Sequence, residues 1–139
     1  MHAFDYSPIV MDHFENPRNV GEVESTTAVA MVENAQCGDR MKLSFRIGPS
    51  GLIEEARFRT FGCVAAIAAS SMTTQIVRGL NLESAGAITN QQVAEALGGL
   101  PGRKVHCSVL AEQAIQQAIR NYQAPDGSKE PECPGESGS

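Results

Sequence analysis

The chain has 139 residues, 42% hydrophobic and 19% charged, the balance of one globular domain, which excludes global disorder. Sixteen acidic residues against eleven Lys and Arg give a net charge of -5, Trp is absent, and only two Tyr and five Phe are present, which argues against polyanion coating and base stacking. Four cysteines are too few for a disulfide framework, no signal peptide opens the sequence, and no apolar run approaches the roughly 18 residues that span a bilayer. The expectation is a cytoplasmic protein of a reducing compartment, with no nucleic-acid or membrane role.

In chain order, Ser7-Pro8 supplies an N-cap and a first-turn proline for a helix that carries Ile9, Val10, His13 and Phe14 and ends before Pro17. A strand is expected near Thr27 to Val32. Met41, Leu43, Phe45 and Ile47 then alternate with Lys42, Ser44 and Arg46, a period of two that predicts a strand. Gly48-Pro49-Ser50-Gly51 reads as a turn into a second strand over Ile53 to Phe61, with Ala56, Phe58 and Thr60 on one face and Glu55, Arg57 and Arg59 on the other. After Gly62 and Cys63, the stripe Val64, Ile67, Ala68, Ser71, Met72, Gln75 and Ile76 predicts a helix buried on one side and stopped at Gly79. A brief turn around Leu82 to Ala85 precedes a short helix opened by Asn90 and ended by Gly98-Gly99. From Val105 to Tyr122, Cys107, Leu110, Ala111, Ala114, Ile115, Ala118, Ile119 and Tyr122 form the strongest helical stripe.

Strands cluster and helices flank them, so the class is α+β: a three-stranded antiparallel sheet with helices packed on one face, a helical C-terminal half and a disordered tail. Residues 1–123 form the expected domain. Residues 124–139 hold Pro, Gly, Ser and Glu with no large apolar side chain, and carry -3 of the net charge of -5. Exposed Phe4 and Tyr6 near the start are a candidate self-association surface, for a monomer or weak homodimer.

Cys37, Cys63 and Cys107 all fall at element ends. Cys37 is in the loop Gln36-Cys37-Gly38-Asp39, while Cys63 and Cys107 stand at the first turn of a helix, where unpaired N–H groups and the dipole favour a thiolate. The thiols are 26 and 44 residues apart, and element junctions of this kind converge at one end of a sheet. With either His106 or Asp39 as a fourth ligand, the three thiolates make a soft-metal donor set. Each residue alone has a plainer reading, as core thiol, cap or turn former, and no C-x-x-C pair is present. His106 is an awkward base for Cys107, because adjacent helical residues point apart. Cys133, between prolines in the tail, reads as an incidental thiol.

Tyr6-Ser7-Pro8, Asp12-His13-Phe14-Glu15-Asn16-Pro17-Arg18-Asn19-Val20-Gly21, Cys37-Gly38-Asp39, Phe58-Arg59-Thr60-Phe61-Gly62-Cys63 and His106-Cys107-Ser108-Val109-Leu110-Ala111-Glu112 closely resemble the IscU family of iron–sulfur cluster assembly scaffolds. NifU amino-terminal domains share the pattern, which runs from about Tyr6 to Tyr122. The resemblance implies the same α+β fold and a non-enzymatic scaffold that receives sulfur and iron, builds a labile two-iron two-sulfur cluster and passes it to apo-proteins. It also implies Cys37, Asp39, Cys63, His106 and Cys107 as metal and cluster ligands, with Cys107, Cys63 and Cys37 as persulfide acceptors, and zinc as an alternative occupant. Implied partners are a cysteine desulfurase, a ferredoxin, a frataxin-like protein, Hsp70 and J-type chaperones and recipient apo-proteins. Two stretches depart from the family pattern. Leu100-Pro101-Gly102-Arg103-Lys104 stands where relatives carry a Leu-Pro-Pro-Val-Lys chaperone motif, and Val64-Ala65-Ala66-Ile67-Ala68-Ala69 is richer in alanine. The alternative is a zinc-dependent sulfurtransferase partner of a desulfurase, against which His106 and the absence of an insertion before Cys107 speak.

Overall fold

In the computed structural model, residues 6–23, 28–34 and 38–123 are described, the side chains of Arg103 and Gln123 excepted. Helix α1 (Pro8–Glu15) starts where the sequence predicts: the Ser7 hydroxyl accepts from Val10 N–H, and Pro8 fills a first-turn position whose N–H would go unpaired. Three antiparallel strands follow in the order β1 (Ala28–Asn34), β2 (Asp39–Ile47), β3 (Ile53–Phe61). The β2–β3 hairpin turns at Gly51, whose φ of 86° is open to glycine without strain, and a bulge at Arg46/Ile47 adjusts its register. Period-two alternation in β2 buries Met41, Leu43, Phe45 and Ile47, as its pattern requires.

Helix α2 (Val64–Val77) packs under β3, while α3 (Leu82–Gly86) and α4 (Asn90–Ala96) lead through a 3-10 turn (Gly102–Lys104) to α5 (Val105–Gln123), which packs under β1 and β2. The helices thus cover one face of the sheet, as expected. Leu110, Ala111, Ala114, Ile115 and Ala118 of α5 meet the inward side chains of the strands, and this layer is the core. No helix among the described residues is long and apolar enough to cross a membrane.

The structure differs from the sequence reading in three places. Helix α2 is buried more widely than the predicted stripe: within the stripe Ala68 and Ser71 are buried, Val64, Ile67, Met72 and Ile76 are half-buried and Gln75 is exposed, while Ala65, Ala66, Ala69, Ser70, Thr73 and Thr74 outside it are buried as well. It is enclosed by β3, α1 and α5, and close approach on several sides selects small side chains rather than a stripe of large ones. Tyr6 is buried and joins the core, so it cannot serve the surface role expected of it; Phe4 lies outside the described residues. The cap of α4 is Thr89 rather than Asn90, in a reciprocal capping box with Gln92. The expected tail, 124–139, lies outside the described residues, as do Cys37 and Cys133.

Candidate metal centre

Asp39, Cys63, His106 and Cys107 come together at one end of the sheet because each sits at the end of an element. Asp39 opens β2, Cys63 follows β3 and is the N-cap of α2, and His106 and Cys107 lie in the first turn of α5. One Asp39 carboxylate oxygen lies 3.4 Å from His106 Nε2 and 3.8 Å from Cys107 Sγ, and Cys107 Sγ is 3.6 Å from His106 Nε2. Ligand atoms held about 2.0 to 2.3 Å from one tetrahedral ion lie about 3.3 to 3.8 Å from each other, so the three atoms are spaced as three corners of such a site. Among the described residues, this trio is the group of His, Cys and carboxylate atoms close enough to share an ion. Cys63 joins it through Cys107, with 3.7 Å between the sulfurs. Adjacent positions on α5 were expected to point apart, yet the imidazole of His106 reaches Cys107, since both flank the buried Asp39.

The electrostatics divide the two thiols. Cys63 is lowered to about 5, first because the Cys107 thiol donates to its sulfur, then through the Ala66 N–H of the helix start and the nearby Lys104 ammonium. The pKa of Cys107 is pushed up, first by that same hydrogen bond, in which it is the donor, then by burial and the neighbouring Cys63 charge. The lowered pKa expected of both helix-start cysteines therefore holds for Cys63 alone. Cys107, inside the first turn of α5, is fully buried, and desolvation disfavours a second negative charge beside the first. The pair carries one proton and one charge.

Two further residues build the site. Lys104, in the 3-10 turn ahead of α5, has its ammonium stabilised first by the Cys63 thiolate. Gly62 leaves room for Asp39: a Cβ there would fall 2.7 Å from Asp39 Oδ1 and 2.9 Å from Ala66 Cβ. The sequence signal for both was adjacency, Gly62 to Cys63 and Lys104 to the His106-Cys107 pair.

Residues 5–129 match the family described as NifU-like N terminal domain. The chain belongs to this NifU-like family. Within it, the chain is 51% identical over 125 residues to the "Iron-sulfur cluster assembly scaffold protein IscU" of Haemophilus influenzae, covering 88% of this chain and 98% of that one. It is 48% identical over 122 residues to the protein of the same name from Escherichia coli, covering 86% and 94%. The NifU-like fold is also seen in the solved N-terminal structure of a nitrogen-fixing NifU-like protein from Brucella abortus, with a TM-score of 0.68, 18% identity and coverage of 88% and 96%.

Proposed function

We propose that this chain is a scaffold on which an iron–sulfur cluster is assembled and from which it is passed to apo-proteins. The observation that carries the reading is the spacing of Asp39, His106 and Cys107 with Cys63 beside them, on a chain about half identical to proteins named as such scaffolds. Cys63, Cys107, Asp39 and His106 are the ligands assigned by this reading, with Cys37 from the preceding loop. The cluster is cargo, and the donor set fits a carrier. Thiolates bind iron firmly, whereas a carboxylate and a protonatable imidazole bind it less tightly than two further thiolates would. The assigned cluster is of the two-iron two-sulfur type.

Sulfur arrives by exchange with the persulfide of a cysteine desulfurase. The Cys63 thiolate attacks the outer sulfur, the S–S bond breaks, the desulfurase cysteine leaves as thiolate, and Cys63 carries the persulfide. Lys104 stabilises the attacking anion. Electrons that reduce this sulfur to sulfide come from a ferredoxin-type donor, and recipient apo-proteins take the cluster.

The same spacings suit one tetrahedral zinc ion, so zinc is expected to fill the site when iron and sulfide are absent. Anaerobic incubation with a cysteine desulfurase, cysteine and ferrous iron, followed by visible absorption and sulfide analysis, tests the reading. A charge-transfer band with matched iron and sulfide supports it. Retained zinc with sulfur turnover supports the sulfurtransferase alternative and overturns it.

A further inference from the structure

Cys63 and Cys107 are free thiols 44 residues apart in sequence, yet their sulfurs are in hydrogen-bond contact at 3.7 Å. The two differ in access. Cys63 is half-buried at the junction of β3 and α2, whereas Cys107 is fully buried in the first turn of α5. A small solute therefore reaches the Cys63 sulfur first. They differ in freedom as well, since Cys63 is an N-cap in extended backbone, while Cys107 is held inside a helix packed under β1 and β2. Bonded sulfurs lie about 2.05 Å apart, so joining the pair asks for an approach of about 1.7 Å, and the adjustment falls on the Cys63 side chain.

We propose that Cys63 and Cys107 are a redox pair: in the metal-free chain a hydroperoxide converts them to a disulfide, which closes the metal centre until a dithiol reopens it. The bond rests on the sulfur contact, and its consequence for cluster loading rests on the scaffold reading. In the first step the Cys63 thiolate attacks one peroxide oxygen, the O–O bond breaks, hydroxide leaves and Cys63 carries a sulfenic acid. In the second, the Cys107 sulfur attacks the Cys63 sulfur, the S–O bond breaks, and the hydroxyl leaves as water with the Cys107 proton. One hydrogen peroxide thus takes two electrons from the pair and ends as water and hydroxide.

The contact also selects the product. A sulfenic acid without a neighbouring thiol goes on to irreversible sulfinic acid, whereas here the resolving thiol already touches it. A bound ion that engages both sulfurs leaves neither free to attack, so a loaded chain is protected and an empty one is locked.

Stoichiometric hydrogen peroxide applied to the metal-free full chain, with unreduced peptide mapping of the monomer fraction, tests this. A Cys63–Cys107 peptide pair that dithiothreitol separates is expected. Zinc added beforehand should suppress it several-fold, and Cys107→Ser should raise dimedone labelling of Cys63 several-fold. The oxidised chain should bind zinc at least about 100-fold more weakly, because loss of an outer partner alone costs about 10- to 100-fold. Cys63 bonded instead to Cys37 or Cys133, a disulfide confined to dimers, Cys63 carried to sulfinic acid with Cys107 still a thiol, or undiminished zinc affinity would each overturn the redox pair. No iron or sulfide enters this experiment, so a reduced chain that builds no cluster refutes the scaffold reading alone, and a cluster-building chain without the disulfide refutes the redox pair alone.

Discussion

Replacing Gly62 by alanine probes the site through its missing side chain. Gly62 is not among the residues of positive φ, so the backbone itself accepts alanine. The added Cβ would meet Asp39 Oδ1 at 2.7 Å, Asp39 Cγ at 3.0 Å and Ala66 Cβ at 2.9 Å, each inside van der Waals contact. Ala66 is held in the first turn of α2 and buried, so the carboxylate is the group that yields. Overpacking of this kind costs about 1 to 3 kcal/mol, offset by about 0.4 to 1 kcal/mol from the lower chain entropy of the unfolded state, so the net loss of stability should be about 0 to 2.6 kcal/mol. The larger effect falls on the metal. Displacing a group that orients or supplies one ligand lowers affinity by about 10- to 100-fold, or about 1.4 to 2.7 kcal/mol. Zinc competition against a chromophoric chelator measures the affinity, and urea unfolding measures the stability. In the Gly62→Ala/Asp39→Ala double variant, affinity should equal that of Asp39→Ala alone, because the methyl acts through a carboxylate no longer there. Wild-type zinc affinity in Gly62→Ala, or losses that simply add in the double variant, would refute the reasoning.

Two titrations follow from the same structure. Cys63 should react with iodoacetamide along a profile with its midpoint near 5, against about 8.5 for an unperturbed thiol, and Lys104→Ala should move the midpoint upward; peptide mass spectrometry resolves the site, and a midpoint near 8.5 in the native chain contradicts the assigned charge. Buried His13, whose Nδ1 is 2.8 Å from the Ser71 hydroxyl, has its pKa lowered first by burial and then by Arg18. Its neutral form is the folded one, so the stability it contributes is complete above the unfolded value of about 6.5 and is lost as pH falls below it, at no more than about 1.4 kcal/mol per pH unit. Urea midpoints measured between about pH 7.5 and 5.5 should decline less in His13→Asn than in the native chain; parallel declines would show that His13 is not a source of the acid sensitivity.

The parts legible in sequence are those set by local rules. The alternation in Met41–Ile47, the Ser7-Pro8 start of α1 and the stripe of α5 each specify an element without reference to its neighbours. The convergence of Asp39, Cys63, His106 and Cys107 was also legible, since element ends on one side of a sheet meet. What escaped was set by neighbours in space. The small residues of α2 look neutral until β3, α1 and α5 enclose them, and Tyr6 is drawn into a core whose position no local pattern reveals. Cys63 and Cys107 look equivalent by position, yet their contact at 3.7 Å forces a shared proton and drives their pKa values apart. Gly62 acts through a side chain it lacks, which becomes visible only when Asp39 is seen against it.

The account rests on these side chains holding iron together with sulfide. X-ray absorption at the iron edge of the anaerobically reconstituted chain, compared with the Asp39→Ala/His106→Ala variant, tests that directly. The expected result is an iron shell of mainly sulfur with lighter nitrogen or oxygen scatterers in the native chain, the lighter component being lost in the variant. Iron that remains in solution, or a light-atom component unchanged by removing both residues, would contradict the assignment.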